Sequence, residues 1–189
     1  MSFVSDYLAE TARVIQVIGE PEIEALVQVL DDAWHDGRQI FCCGNGGSGS
    51  LASHLACDLN KNCTAPGVPR FKILPLTNNL PTILAYANDV SYDDVFVEQL
   101  KNLFRPGDVV LGVSGSGNSE NVVRTLRWAK EQGGVTVGFI GFGGGRMKEL
   151  CDVAIIADSH DMQHCEDAHT VLMHLLMQIF MRKAAAHVG

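Results

Sequence analysis

Apolar positions recur along the chain with two different periods. From residue 3 to residue 18, Val4, Leu8, Ala12, Val14, Ile15 and Val17 fall at helical spacing, which predicts an amphipathic helix. Gly19-Glu20-Pro21 interrupts the run, and a second helical pattern continues to about Asp36. Pro21 suits its first turn, and Ile23, Leu26, Val27, Val29, Leu30 and Trp34 are its apolar residues. Short continuous apolar runs then appear, at Ile40–Cys43, Phe71–Leu76, Val109–Val113, Val135–Ile140 and Val153–Ala157. Helical patterns separate them, from residue 50 to Leu59 and at residues 80–87, 91–103, 118–132 and 145–151. Alternating strands and helices predict a parallel sheet covered on both faces. The expected architecture is α/β: a three-layer sandwich around a five-stranded parallel sheet over residues 37–189, with residues 1–36 as a helical extension of the same domain.

The last helix is expected from near His164 to about Ala185. Between Val171 and Met181 only His174 and Gln178 are polar, so the helix is apolar nearly all round. Such a helix is buried on more than one side, and a chain of 189 residues has little room for that alone. A homo-oligomer with this helix in its interface follows.

Composition narrows the function. Hydrophobic residues make up 47%, as in a globular chain. The net charge of −8 argues against nucleic-acid or anionic-membrane binding by charge. No apolar run reaches the roughly 18 residues of a membrane span. Cys42, Cys43, Cys57, Cys63, Cys151 and Cys165 form no CxxC pair, and with no leader-like start they read as reduced thiols of a cytoplasmic protein.

Two glycine- and serine-rich turns carry the candidate chemistry. The first, Gly44-Asn45-Gly46-Gly47-Ser48-Gly49-Ser50, joins the first strand to a helix. Glycines let backbone approach a ligand, and the unpaired N–H groups of a helix start favour an anion. Gly44-x-Gly46-x-x-Gly49 also fits the dinucleotide fingerprint, but that fingerprint needs an acid after the second strand. Thr77-Asn78-Asn79 stands there instead, which points away from a nucleotide cofactor. The second turn, Ser114-Gly115-Ser116-Gly117-Asn118-Ser119, follows the third strand and reads as a phosphate cradle without a lysine. A third, Gly141-Phe142-Gly143-Gly144-Gly145-Arg146, is read as a turn only. His54 and Asp58 lie four apart on one helix face, where a solvated pair is the ordinary alternative. His174 stands inside an apolar helix, where a hydrogen-bonded core histidine is the default. His160, His164, His169 and His187 read as surface or loop residues, His169 also as a support for the site.

Together, Gly44–Ser48, His54, Ala87-Asn88-Asp89, Gly107–Gly112, Ser114–Ser119, Glu166-Asp167-Ala168-His169 and His174 resemble the SIS sugar-isomerase family, and within it the phosphoheptose isomerases. The likeness spans essentially the whole chain. It implies a flavodoxin-like five-stranded sheet, a homotetramer, and active sites at subunit boundaries. It implies phosphate contacts at Ser114, Ser116 and Ser119, and sugar contacts at Asn45 and Ser48. Gly46, Asn88, Asp89 and Glu166 complete the implied substrate-binding set. The family's catalytic carboxylate falls on Asp58 and its catalytic histidine on His174. Where members hold zinc, the ligands fall on His54, Asp58, Glu166 and His174, a nitrogen and oxygen set that suits a divalent metal.

The chain departs from the family pattern in the pocket. Asp58 stands for Glu, Glu166 for Gln, Gly115 for Thr, and Gln163-His164 for an Asp-Arg pair. An aldose–ketose isomerase of a sugar phosphate, sedoheptulose 7-phosphate above all, moves a proton between adjacent carbons through an enediol. That needs a base and an acid, the roles of Asp58 and His174. The alternative is a relative without catalysis, a phosphosugar sensor or a partner of a replication initiator. Keeping both an acid at 58 and His174 favours the enzyme.

Overall fold

The computed structural model describes residues 2–187. Helices α1 (Phe3–Gln16) and α2 (Glu20–His35) precede β1 (Ile40–Gly44), α3 (Gly46–Asn62), β2 (Ile73–Pro75), α4 (Leu80–Asp89) and α5 (Val97–Lys101). Then come β3 (Val109–Ser114), α6 (Glu120–Glu131), β4 (Val135–Ile140), β5 (Val153–Ile156) and α7 (Met162–Ala186). The strands form one parallel sheet in the order β2-β1-β3-β4-β5. Strand order reverses between β1 and β3, and open α/β sheets bind ligands outside the carboxyl ends of such neighbours. Gly44 pairs with Val113 in the register, so the two glycine-serine turns leave the sheet side by side.

One face of the sheet packs on α2, α3 and α7 through Leu26, Leu30, Leu55, Leu59, Leu172 and Phe180. The other packs on α5 and α6 through Phe96, Leu100, Val122 and Leu126. Trp34 of α2 stacks on Phe71 at 5.0 Å and donates to the Pro69 carbonyl at 2.6 Å, which ties down the irregular stretch before β2. The start of the extension is different: Phe3, Val4 and Leu8 of α1 stay exposed. On α7, Leu172 and Phe180 enter the core while Val171, Leu175 and Met181 remain outside.

Several predicted boundaries shift for local reasons. β2 spans only Ile73–Pro75. On its outer edge the Asn60 amide takes both the N–H and the C=O of Ile73, and Pro75 has no N–H to offer there. Residues 91–103 are a 3₁₀ turn, Tyr92–Asp94, and then α5, not one helix. Ser91 caps that turn by accepting from the Asp93 N–H. The pattern at 145–151 is part of a broken 3₁₀ segment, Phe142–Leu150, interrupted by Gly143–Gly145. His164 and His169, read as surface or loop residues, are buried. His164 stacks on Tyr7 with ring centroids 4.3 Å apart, and its Nδ1 lies 2.8 Å from Thr11 Oγ1. His169 reaches the Ile140 carbonyl through Nε2 at 3.3 Å, and burial lowers its pKa to about 4. Among the described residues, no helix is long and apolar enough to cross a membrane.

Candidate active site

The first glycine-serine stretch is mostly helix. Asn45 is the N-cap residue of α3, and Gly46-Gly47-Ser48-Gly49 form its first turn. Gly46 makes the corner at φ +53°, a left-handed conformation that glycine adopts without a Cβ penalty. Asn45 does not cap the helix with its side chain. Its amide instead pairs reciprocally with that of Asn121 on α6, both bonds 2.9 Å, and accepts from Tyr92 Oη at 2.8 Å. The first N–H groups of α3 are therefore left for a ligand.

The second stretch is a true loop. Ser114, at the end of β3, is buried, and its Oγ lies 3.1 Å from Ser119 Oγ and 3.4 Å from Ser116 Oγ. Gly117 turns the chain at φ +66°, and α6 starts only at Glu120. The third turn, read as a turn only, supports this loop from behind. Gly141 N–H donates to the Gly115 carbonyl at 2.9 Å, and Met147 N–H to the Gly117 carbonyl at 3.0 Å. Arg146 reaches the Asn118 carbonyl at 3.0 Å and Glu120 at 2.6 Å.

Both turns line one cleft of about 270 Å³. Asn45, Gly46, Gly47 and Ser48 come from the first, Ser114, Ser116 and Ser119 from the second, and Met162 and Glu166 from α7. Glu166 is the one ionisable side chain in that lining, and no lysine or arginine is part of it. A neighbouring cleft of about 280 Å³ shares Asn45 and Gly46 and runs toward Ser53, Thr77, Tyr92 and Phe96.

Farther along α3, His54 and Asp58 meet His174 of α7. Their ligand atoms lie within 4.8 Å of one another. His54 Nε2 is 3.4 Å from Asp58 Oδ2, and the two imidazoles stand nearly edge to face at 5.2 Å. His54 and His174 are exposed and Asp58 is half-buried. Two imidazoles and a carboxylate fit zinc or another divalent ion by donor chemistry. Glu166 does not join this group as the fourth ligand expected of it. It stands against Gly47, where a Cβ would come within 2.6 Å of Oε2. The reason is helical rise: Glu166 and His174 are two turns apart, about 12 Å along α7. α3 and α7 run in the same direction, with Gly47 beside Glu166 and His54 beside His174.

Asn88 and Asp89 sit exposed at the end of α4, outside the lining of both clefts, and Asn88 Nδ2 donates to Asp89 at 2.7 Å. Asn121, Tyr92, Met162 and the third turn were not expected at the site. Their contacts join residues far apart in the chain, and no spacing pattern announces them.

A model of the SIS domain family matches residues 6–141. The chain is 35% identical over 183 residues to the phosphoheptose isomerase of Aliarcobacter butzleri, a match covering 94% of this chain and 95% of that one. With the phosphoheptose isomerase of Paramagnetospirillum magneticum the identity is 36% over 185 residues, covering 93% and 92%. Among solved structures, phosphoheptose isomerase GmhA from Neisseria gonorrhoeae superposes with a TM-score of 0.86 at 26% identity, covering 94% of this chain and 96% of that one.

Proposed function

We propose, for a chain that belongs to the SIS-domain family and within it to the phosphoheptose isomerases, that it converts sedoheptulose 7-phosphate to D-glycero-D-manno-heptose 7-phosphate through an enediol. The observation that carries this is the meeting of two anion-favouring turns in one cleft, with an imidazole–carboxylate group next along the same pair of helices. The phosphoryl group rests on Ser114, Ser116 and Ser119 and the free N–H groups of α3. The sugar chain runs along α3 and α7, past Ser48 and Glu166, toward His54, Asp58 and His174. Asp58 takes the proton from the carbon beside the carbonyl, and His174 gives and takes the proton at oxygen. A divalent metal, zinc by its donor set, would be held by His54, Asp58 and His174 and would polarise the carbonyl as a Lewis acid.

A homotetramer in the cytoplasm is part of this reading. The large apolar side chains that α1 and α7 leave exposed support an assembly, since a second copy packed there would remove them from water. Asn88 and Asp89 would contact sugar only in such an assembly.

The test is incubation with sedoheptulose 7-phosphate in deuterated water. Deuterium at the carbon next to the carbonyl, together with formation of the aldose, is the expected result. Tight sugar-phosphate binding without exchange would replace the enzyme with a sensor.

A further inference from the structure

The first turn of α7 presents two sulphur-bearing side chains, Met162 and Cys165, three residues apart and so on one helix face. Each enters a slot where the opposing backbone has no side chain. A Cβ on Gly115 would fall on Met162 Sδ, and a Cβ on Gly141 would fall on Cys165 Sγ. The two slots are joined by the bond from Gly141 N–H to the Gly115 carbonyl. Asp161 caps α7 by accepting from the N–H groups of Gln163 and His164, which fixes where the helix begins. Cys165 is fully buried. Met162 is half-buried and shares the cleft with Ser114, Ser116 and Ser119.

We propose that Met162 is a specificity-determining residue of this cleft: lodged in the space that Gly115 leaves, its thioether is the apolar wall against which the carbon bearing a phosphoryl group packs. The inference rests on the reading of the cleft as a phosphate site. The ligand class it selects is the phosphate monoester of a primary alcohol. Serine hydroxyls and backbone N–H groups take the phosphoryl oxygens, and the polarizable sulphur takes the single methylene. The ester of a secondary alcohol brings a second carbon to the same place and meets the sulphur. Gly115 controls the fit indirectly. Any side chain there drives the flexible thioether out of its slot and into the cleft that it borders.

The test titrates wild type, Gly115→Ala, Met162→Ala and the double variant with inorganic phosphate, sedoheptulose 7-phosphate, glycerol 3-phosphate and glycerol 2-phosphate. Gly115→Ala is expected to melt as wild type does and to bind phosphate and the sugar phosphate about tenfold more weakly. Adding Met162→Ala should restore both to within about threefold. Met162→Ala alone should keep phosphate binding and narrow the wild-type preference for glycerol 3-phosphate, a primary ester, over glycerol 2-phosphate. Wild-type binding in Gly115→Ala, a double variant as weak as the single one, or undiminished discrimination in Met162→Ala would each overturn the proposal. If Gly115→Ala does not fold, the discrimination shown by Met162→Ala decides. A wild type that binds neither phosphate nor the sugar phosphate would instead remove the phosphate reading of the cleft.

Discussion

In the anion cleft the polar groups are already held in place, whereas two turns along the same helices they are not. Ser114 is buried within reach of two other serine hydroxyls, Asn45 is locked to Asn121 and Tyr92, and a third turn supports the loop by backbone bonds. His54, Asp58 and His174 form a loose group, with a 3.4 Å contact between His54 Nε2 and Asp58 Oδ2 and both imidazoles exposed. The parts to which the proposed function gives binding are thus preorganised within one chain. The parts to which the proposed function gives the reaction are gathered but open, as expected of groups that a metal, a substrate or another subunit completes. Preorganised dipoles act without rearrangement at the moment of reaction, so the two regions should separate in kinetics.

The largest effect should come from the open region. His174→Gln is expected to lower kcat by about 10²–10⁴ while sugar-phosphate binding changes little. Loss of binding in step with kcat would show that the regions are not separable. Removing a cleft hydroxyl should do the reverse. Ser116→Ala or Ser119→Ala should raise KM about tenfold, the scale of one hydrogen bond to a charged group, with kcat nearly kept. For the metal, His54→Ala should strip the bound divalent ion from protein isolated without chelator, read by elemental analysis. Metal content equal to wild type would move the ion elsewhere.

Two smaller effects probe the support beneath the cleft. Asn121→Leu leaves Asn45 Nδ2 without its acceptor, while Tyr92 still bonds Oδ1, and should cost about 1–3 kcal/mol of stability, seen as a lower melting temperature. His169 is neutral in the fold down to about pH 4, while its unfolded form gains a proton near pH 6.5. Between these values the unfolded state binds more protons, so stability falls as pH drops through this window. His169→Gln should flatten that slope in melts taken from pH 7 to pH 4.

The sheet was legible in the sequence because buried parallel strands read as unbroken apolar runs. The pairing of His54 with Asp58 was legible from helical spacing. The separation of Glu166 from His174 was missed, because the family likeness placed both in one ligand set although eight residues of one helix hold them apart. The helical state of Gly46–Gly49 was not, since glycine disfavours helix interiors and only the neighbouring strand and α7 hold this turn. The short β2 hid behind an amide, Asn60, that takes the place of a strand neighbour. Met162 falls before the start expected for the last helix, near His164, and Asn121 inside an ordinary helical pattern. Their roles come from the backbone opposite them, which no local pattern encodes.

The cleft without lysine or arginine has a consequence for solution behaviour. Attraction between opposite charges fades with added electrolyte, but fixed dipoles and hydroxyls at contact distance are screened far less. Here the nearby charges, Glu166 and a chain carrying −8, repel a phosphoryl group. Raising ionic strength should therefore leave its capture unchanged or tighten it, the opposite of what a lysine-lined pocket would do.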